Sequence, residues 1–154
     1  MSKDMVKDAK ELAKKLHEGM TDKYGNPYFY HLERVANRVR DMEYDMVDET
    51  SEINLYITAA YLHDVIEDTD YLIGDIIDKF GETIAEAVKL LTRGDEETYA
   101  DYVTGIKKSV FLEGKIARVV KMADLLDHLM GPTPCPPNLV KRYEKSLYSL
   151  MGKL

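Results

Sequence analysis

Tryptophan is absent, and cysteine occurs once, at Cys135. A single thiol cannot form an internal disulfide, and a four-thiolate zinc site is excluded; a reducing, cytoplasmic setting is the expectation. Long apolar runs are also missing: nothing approaches the roughly 18 residues that a membrane span needs. The N-terminal MSKDMVKDAKELAKKL is charged throughout and lacks the apolar stretch of a signal peptide. Basic residues are in the minority, 21 Lys and Arg against 28 Asp and Glu, for a formal charge of −7. That balance argues against a broad nucleic-acid-binding face, which needs cations to displace counterions. It also means that a phosphorylated substrate meets a repulsive field unless a metal or a local basic pocket reverses it. There is no internal repeat, no low-complexity tract and no Gly-rich phosphate loop. Strand-like alternation persists nowhere beyond a few residues.

What is present reads as helix in a chain of 154 residues, the size of one domain spanning 1–154. Met5, Ala9, Leu12, Ala13 and Leu16 form one stripe at helical spacing and predict a helix over about 3–18. His31 to Met42 repeats the pattern. The stretch from Asn54 to about Glu67 is apolar nearly all round, as a central buried helix should be. A short helix over 71–79, capped by Thr69 or Asp70 and ended by Gly81, precedes helices over about 82–92, 97–110 and 114–130. The run Pro132 to Pro137 predicts a loop, because its prolines remove backbone donors, and a last helix follows over about 138–151. The expected fold class is all-α, a compact bundle of seven or eight helices.

Chemistry concentrates in AAYLHDVIEDTD (59–70). An apolar helix ends in His63, Asp64, Glu67, Asp68 and Asp70. On one continuous helix, His63 would share a face with Glu67, and Asp64 an adjacent face with Asp68. So many carboxylates at the negative end of a helix dipole are unfavourable unless a cation is near. An acidic, solvated helix end beside a core histidine is the plain alternative. Asp124 interrupts another apolar helix; it is either salt-bridged, to Lys121 or Arg118, or a metal ligand. His128 lies one turn beyond it on the same face. His31 opens a helix after an aromatic stretch and, taken alone, is as readily structural. Together these groups offer a mixed sphere of imidazole and carboxylate that suits manganese, iron or zinc better than calcium.

The residues carry a resemblance. HEG-x3-K-x-GNPYFYH (17–31), LERVA (32–36), AAYLHDVIEDT (59–69), DKFGETIAEAVKLLT (78–92) and ARVVKMADLL (117–126) resemble the hydrolase domain of the RelA/SpoT alarmone enzymes and their small stand-alone relatives. Those enzymes belong to the HD superfamily of metal-dependent phosphohydrolases. The resemblance covers about residues 9–130. It implies that His31, His63, Asp64 and Asp124 bind one divalent ion, manganese first, with zinc or iron as alternatives. It implies that Glu67 and Asp68 act on the attacking water, and that Lys23 and Tyr28 face the substrate. Arg34 and Lys121 are further candidates for phosphate contact, and His128 lies where the family's nucleotide pocket would be. The implied activity is hydrolysis of a phosphate or pyrophosphate ester on a nucleotide, similar to guanosine tetraphosphate or pentaphosphate 3′-pyrophosphohydrolase. Two alternatives stand beside it: an HD hydrolase for another nucleotide, and a catalytically silent nucleotide-binding module. With only four histidines, His17, His31, His63 and His128, a single-metal site is favoured over the di-iron HD types.

Four positions depart from the family pattern. Met20 and Asp22 stand where Gln and Arg are common, and that Arg is a stacking cation an Asp cannot replace. His128 replaces an Asn, and Gly131 a Thr. All of these lie toward the nucleotide, none in the metal sphere. The expectation is that the metal chemistry is kept while the guanosine tetraphosphate itself is handled slowly.

Overall fold

The computed structural model describes residues 4–46 and 52–152. Among these residues the chain folds into nine helical elements: Met5–Leu16 (α1), Phe29–Met46 (α2), Ile53–Leu62 (α3), Val65–Asp68 (α4), Ile73–Phe80 (α5), Glu82–Leu90 (α6), Tyr99–Lys108 (α7), Leu112–Met130 (α8) and Pro137–Leu150 (α9). Eight are genuine helices; α4 is a single turn. No strand forms among the described residues, only an isolated bridge between Thr21 and Pro27. The all-α bundle is therefore as expected, although Lys3, the first residue of the expected opening helix, lies outside the described residues. Among the described residues no helix is long and apolar enough to cross a membrane.

Two buried helices organise the bundle. α3 packs against α1, α2, α6 and α8, and α8 packs against α2, α3, α6, α7 and α9. Seven consecutive residues of α3, Tyr56 to Leu62, are buried, which is why its sequence shows no polar face. α8 buries Ile116, Ala117, Val119, Val120, Ala123 and Leu125 among others. The partners are amphipathic. In α1, Ala9 and Ala13 are fully buried while Lys10 and Glu11 between them face water. Asp4 caps α1 by accepting the Lys7 N–H at 3.1 Å.

Three local expectations are corrected. The helix expected over 54–67 breaks at His63 and Asp64, so α3 and α4 are separate. The His63 imidazole reaches back to the Ala60 carbonyl at 2.6 Å, supplying a donor where the helix ladder ends. Thr69 and Asp70 do not cap α5. Leu72 holds that place, its N–H bound by the Asp75 carboxylate at 3.3 Å, while the Thr69 hydroxyl donates back to the Val65 carbonyl at 2.6 Å. Pro137 belongs to α9 rather than to the loop, because a proline at the first helical turn costs no hydrogen bond. Gly81 joins α5 to α6 at φ 91°, a left-handed conformation that glycine adopts without the Cβ penalty.

Candidate active site

His31, near the start of α2, His63, just past α3, and Asp124, on α8, meet between the bundle's central helices. The three are buried, and each can present one donor atom within 4.8 Å of the others'. Nε2 of His31 lies 3.1 Å from Asp124 Oδ1, and Nε2 of His63 lies 3.6 Å from the same oxygen. None of these three atoms has a hydrogen-bond partner of good geometry, and each is sealed from solvent. Orphaned donors and acceptors of this kind are costly in a core unless something else satisfies them. Two imidazole nitrogens and a carboxylate oxygen are a donor set for a divalent transition ion. The residues present fit such an ion.

Asp64 stands at the edge of the group. Its Oδ2 is 3.2 Å from His63 Nε2 and 3.9 Å from His31 Nε2, and it accepts the Tyr28 hydroxyl at 2.5 Å. Asp124 is pinned on its other oxygen by Lys121 Nζ at 2.8 Å. The salt bridge read from the sequence therefore exists, and the same carboxylate also faces the histidines. Arg118 is not its partner; it donates to the Lys107 carbonyl. Lys121 is itself largely covered, lying over the Tyr102 ring at 5.1 Å to its centroid and toward Tyr99 at 5.9 Å.

Electrostatics follow from this crowding. Burial disfavours the charge of His31, but the Asp124 and Asp127 carboxylates beside its two nitrogens outweigh it and push the imidazole up to about 9. Burial opposes charge on His63 as well, and the neighbouring Asp64 and Asp124 carry it well above the usual histidine range. Asp124 is held well below the carboxylate range: burial would raise it, and Lys121 with the surrounding histidines prevails. These shifts express one fact: the carboxylates here demand positive charge.

Glu67 and Asp68 lie on α4, not on a continuation of α3, so the face-sharing expected for an unbroken helix does not apply. Glu67 Oε1 accepts the Arg93 N–H at 2.6 Å across to the loop after α6. Asp68 Oδ2 is 3.7 Å from His17 Nε2, and the His17 ring stacks on Tyr28 at 5.6 Å. A cleft of about 310 Å³ opens beside His31, lined by Lys23, Arg34, His128, Tyr143 and Pro134 among others. His128 lies between His31 and Tyr143, ring centroids 4.9 and 5.4 Å away, and its Nε2 is 3.2 Å from Asp124 Oδ1. Arg34 borders the cleft but commits Nε to Asp127 Oδ1 at 2.9 Å. A larger hollow of about 620 Å³, between α1 and the start of α2, touches none of His31, His63 and Asp124.

Two of the departures from the family pattern, Asp22 and Gly131, have local reasons. The Asp22 carboxylate accepts the N–H groups of Tyr24 at 2.8 Å and Asn26 at 3.0 Å, shaping the turn around Gly25 at φ 84°. Gly131 ends α8 so close to the Asp127 carbonyl that a Cβ would collide with it. Gly131→Thr should therefore lose about 1–3 kcal/mol of stability to overpacking, read as a lowered midpoint in urea unfolding. An unchanged midpoint would show that the α8 terminus can shift to make room.

Two lining groups were not read from the sequence. Asp127 is buried against His31 Nδ1 at 2.7 Å, and Tyr143 comes from the far end of the chain on α9. The signal for Asp127 was its place one turn after Asp124 on a largely apolar helix. Tyr143 had no local signal.

A family model described as HD domain matches residues 9–111. The guanosine-3′,5′-bis(diphosphate) 3′-pyrophosphohydrolase of Aquifex aeolicus is 32% identical over 127 residues, 80% of this chain and 17% of that protein. The protein of the same name from Vibrio cholerae is 34% identical over 149 residues, 93% of this chain and 20% of that one. The chain thus spans a fifth or less of the length of these curated relatives. Among solved structures, one described as a metazoan ortholog of SpoT that hydrolyses ppGpp superposes with a TM-score of 0.69. That likeness covers 98% of this chain and 87% of the other at 20% identity, and it concerns the fold alone. The family match stops short of Asp124, yet the fold carries that carboxylate to the two histidines the match includes. A family match over more than half of the sequence, with the His63-Asp64 pair inside it, decides the matter: this chain belongs to the HD domain family.

Proposed function

We propose that this chain, as one HD-type domain, hydrolyses a phosphate or pyrophosphate ester of a nucleotide with a single divalent ion, manganese first, held by His31, His63, Asp64 and Asp124. The observation that carries the reading is the convergence of three sealed atoms, none with a well-formed hydrogen bond: His31 Nε2, His63 Nε2 and Asp124 Oδ1. A divalent ion supplies Lewis acidity toward a phosphoryl oxygen and makes water a better nucleophile near neutral pH. The protein's own groups do the rest. Tyr28 holds the Asp64 carboxylate and Lys121 holds that of Asp124, so neither rotates out of the site. Glu67, with Asp68 beside it, takes the proton of the attacking water. Lys23, lining the cleft, attracts the phosphates against the chain's negative field, while Arg34 lines it with its guanidinium held by Asp127.

The names of the relatives support guanosine tetraphosphate as the first substrate to try. The local departures favour slow turnover of it: Asp22 is bound up in its own turn, and His128 and Gly131 replace two groups able to hold a nucleoside. Each buried polar group of the base left unpaired costs roughly 1–3 kcal/mol. A cytoplasmic setting belongs to this reading and rests on the lone thiol of Cys135.

The experiment joins metal analysis to a phosphate- and pyrophosphate-release screen over a nucleotide panel that includes the tetraphosphate, with manganese added. Wild-type protein should hold close to one divalent ion and release phosphate or pyrophosphate; His63→Ala should hold little and release none. Full metal content in His63→Ala, or no release from any nucleotide by loaded wild-type protein, would overturn the proposal. A kcat/KM of about 10⁴ M⁻¹s⁻¹ or more for the tetraphosphate, with the others far behind, would show that Asp22, His128 and Gly131 matter little.

A further inference from the structure

The His31 ring is gripped on both nitrogens by one turn of α8. Asp124 Oδ1 lies 3.1 Å from Nε2, and Asp127 Oδ2 lies 2.7 Å from Nδ1. Asp127 is 3% exposed and has two further partners from α2. Arg34 donates through Nε to Oδ1 at 2.9 Å and through Nη2 to Oδ2 at 3.1 Å, and Arg38 Nε approaches Oδ1 at 3.4 Å. His31, Arg34 and Arg38 fall at i, i+3 and i+7 of α2, so one helical face presents an imidazole and two guanidiniums to a single carboxylate. His63 is held differently: its Nδ1 meets only a backbone carbonyl, that of Ala60, at 2.6 Å.

We propose that Asp127 is the positioning residue of this site: its carboxylate, anchored by Arg34 and Arg38, keeps the Nδ1–H tautomer of His31 and so leaves the Nε2 lone pair free for a metal ion. The inference rests on the metal site proposed above. The argument is one of donors and acceptors. A carboxylate offers acceptors only, so His31 must meet it with Nδ1–H, and in the neutral ring the lone pair is then on Nε2. Both Asp127 oxygens are already engaged by Arg34, which stops the carboxylate from swinging away. An asparagine would have one acceptor and one donor for the same set of partners. With its oxygen turned to the two guanidiniums, its NH₂ would face Nδ1, and the ring would do best with its proton on Nε2, where it blocks the metal. Outer partners that orient a ligating histidine typically contribute tenfold to a hundredfold in metal affinity.

The test measures manganese binding by calorimetry in wild-type protein, Asp127→Asn and Arg34→Gln. Histidine ¹⁵N spectra of the metal-free proteins, taken at a pH where the spectra themselves show neutral imidazoles, report the tautomers. Asp127→Asn should bind manganese about tenfold to a hundredfold more weakly. Its His31 should shift toward the Nε2–H tautomer, while His63 keeps its own. Arg34→Gln removes one anchor at a half-buried position and should weaken manganese binding in the same direction but less. It keeps the inference testable should Asp127→Asn fail to fold. Manganese affinity within twofold of wild type in the folded variants, or an unchanged His31 tautomer in Asp127→Asn, overturns the inference. Wild-type protein that binds no manganese would defeat the metal site itself; wild type that binds while Asp127→Asn binds equally well defeats only the role given to Asp127.

Discussion

Glu67→Gln should keep its metal and lose most of its turnover, by about 10²–10⁴-fold, the usual cost of removing a positioned general base. The carboxylate is outside the buried cluster of His31, His63 and Asp124, so the affinity of an ion held there should not depend on it. It is nevertheless fixed, because Oε1 accepts the Arg93 N–H at 2.6 Å and so ties α4 to the loop after α6. Desolvation pushes the Glu67 carboxyl above its usual range, with the Arg93 N–H pulling the other way and Asp64 adding to the rise. A base with a raised pKa is protonated, and silent, at a higher pH than an ordinary glutamate. Activity should therefore fall on the acid side above the normal carboxylate range, and that limb should vanish from the residual activity of Glu67→Gln. Manganese titration and a pH profile of kcat/KM check both halves. Loss of the metal in Glu67→Gln would make Glu67 a ligand. Undiminished turnover would hand the proton to Asp68 or to solvent.

The second large effect is on stability. Lys121→Met should destabilise the metal-free protein by about 3 kcal/mol, a fall of roughly 6–12 °C in melting temperature. The Lys121 side chain is 12% exposed and lies 2.8 Å from the Asp124 carboxylate. Removing one partner of a buried ion pair leaves the other charge uncompensated, which is worth about 3–5 kcal/mol. The low end applies because His31, His63 and His128 still face Asp124 Oδ1 at 3.1, 3.6 and 3.2 Å. Methionine fills the aliphatic volume against Tyr99 and Tyr102, so packing loss is small. Manganese should then raise the melting temperature of Lys121→Met more than that of wild-type protein, since it meets a less compensated carboxylate. Thermal unfolding with and without manganese decides. Equal melting temperatures for metal-free wild type and variant would show that the histidines alone balance Asp124.

What the sequence determined by itself is the part of the molecule written in local periodicity. Apolar spacing at three and four residues placed the helices, and the all-apolar stretch through Tyr61 and Leu62 marked a helix buried on every side. The His63-Asp64 pair at its end and the lone Asp124 in another apolar helix marked the site, because a charge among aliphatic neighbours must find a partner. The break after Leu62 was not legible, since helical periodicity runs on through Val65 and Ile66; it is set by the His63 ring turning back to Ala60. Only the tertiary structure decided which groups meet. His31, His63 and Asp124 are 32 and 61 residues apart in the chain and become neighbours because α2, α3 and α8 pack together. The same packing gives Asp127 its place on His31 and lays Arg34, readable in the sequence only as a candidate phosphate contact, across that carboxylate. Spacing along a chain reports which residues share a helix face; it carries no information on which face of another helix will lie against it, and this site is built from that second choice.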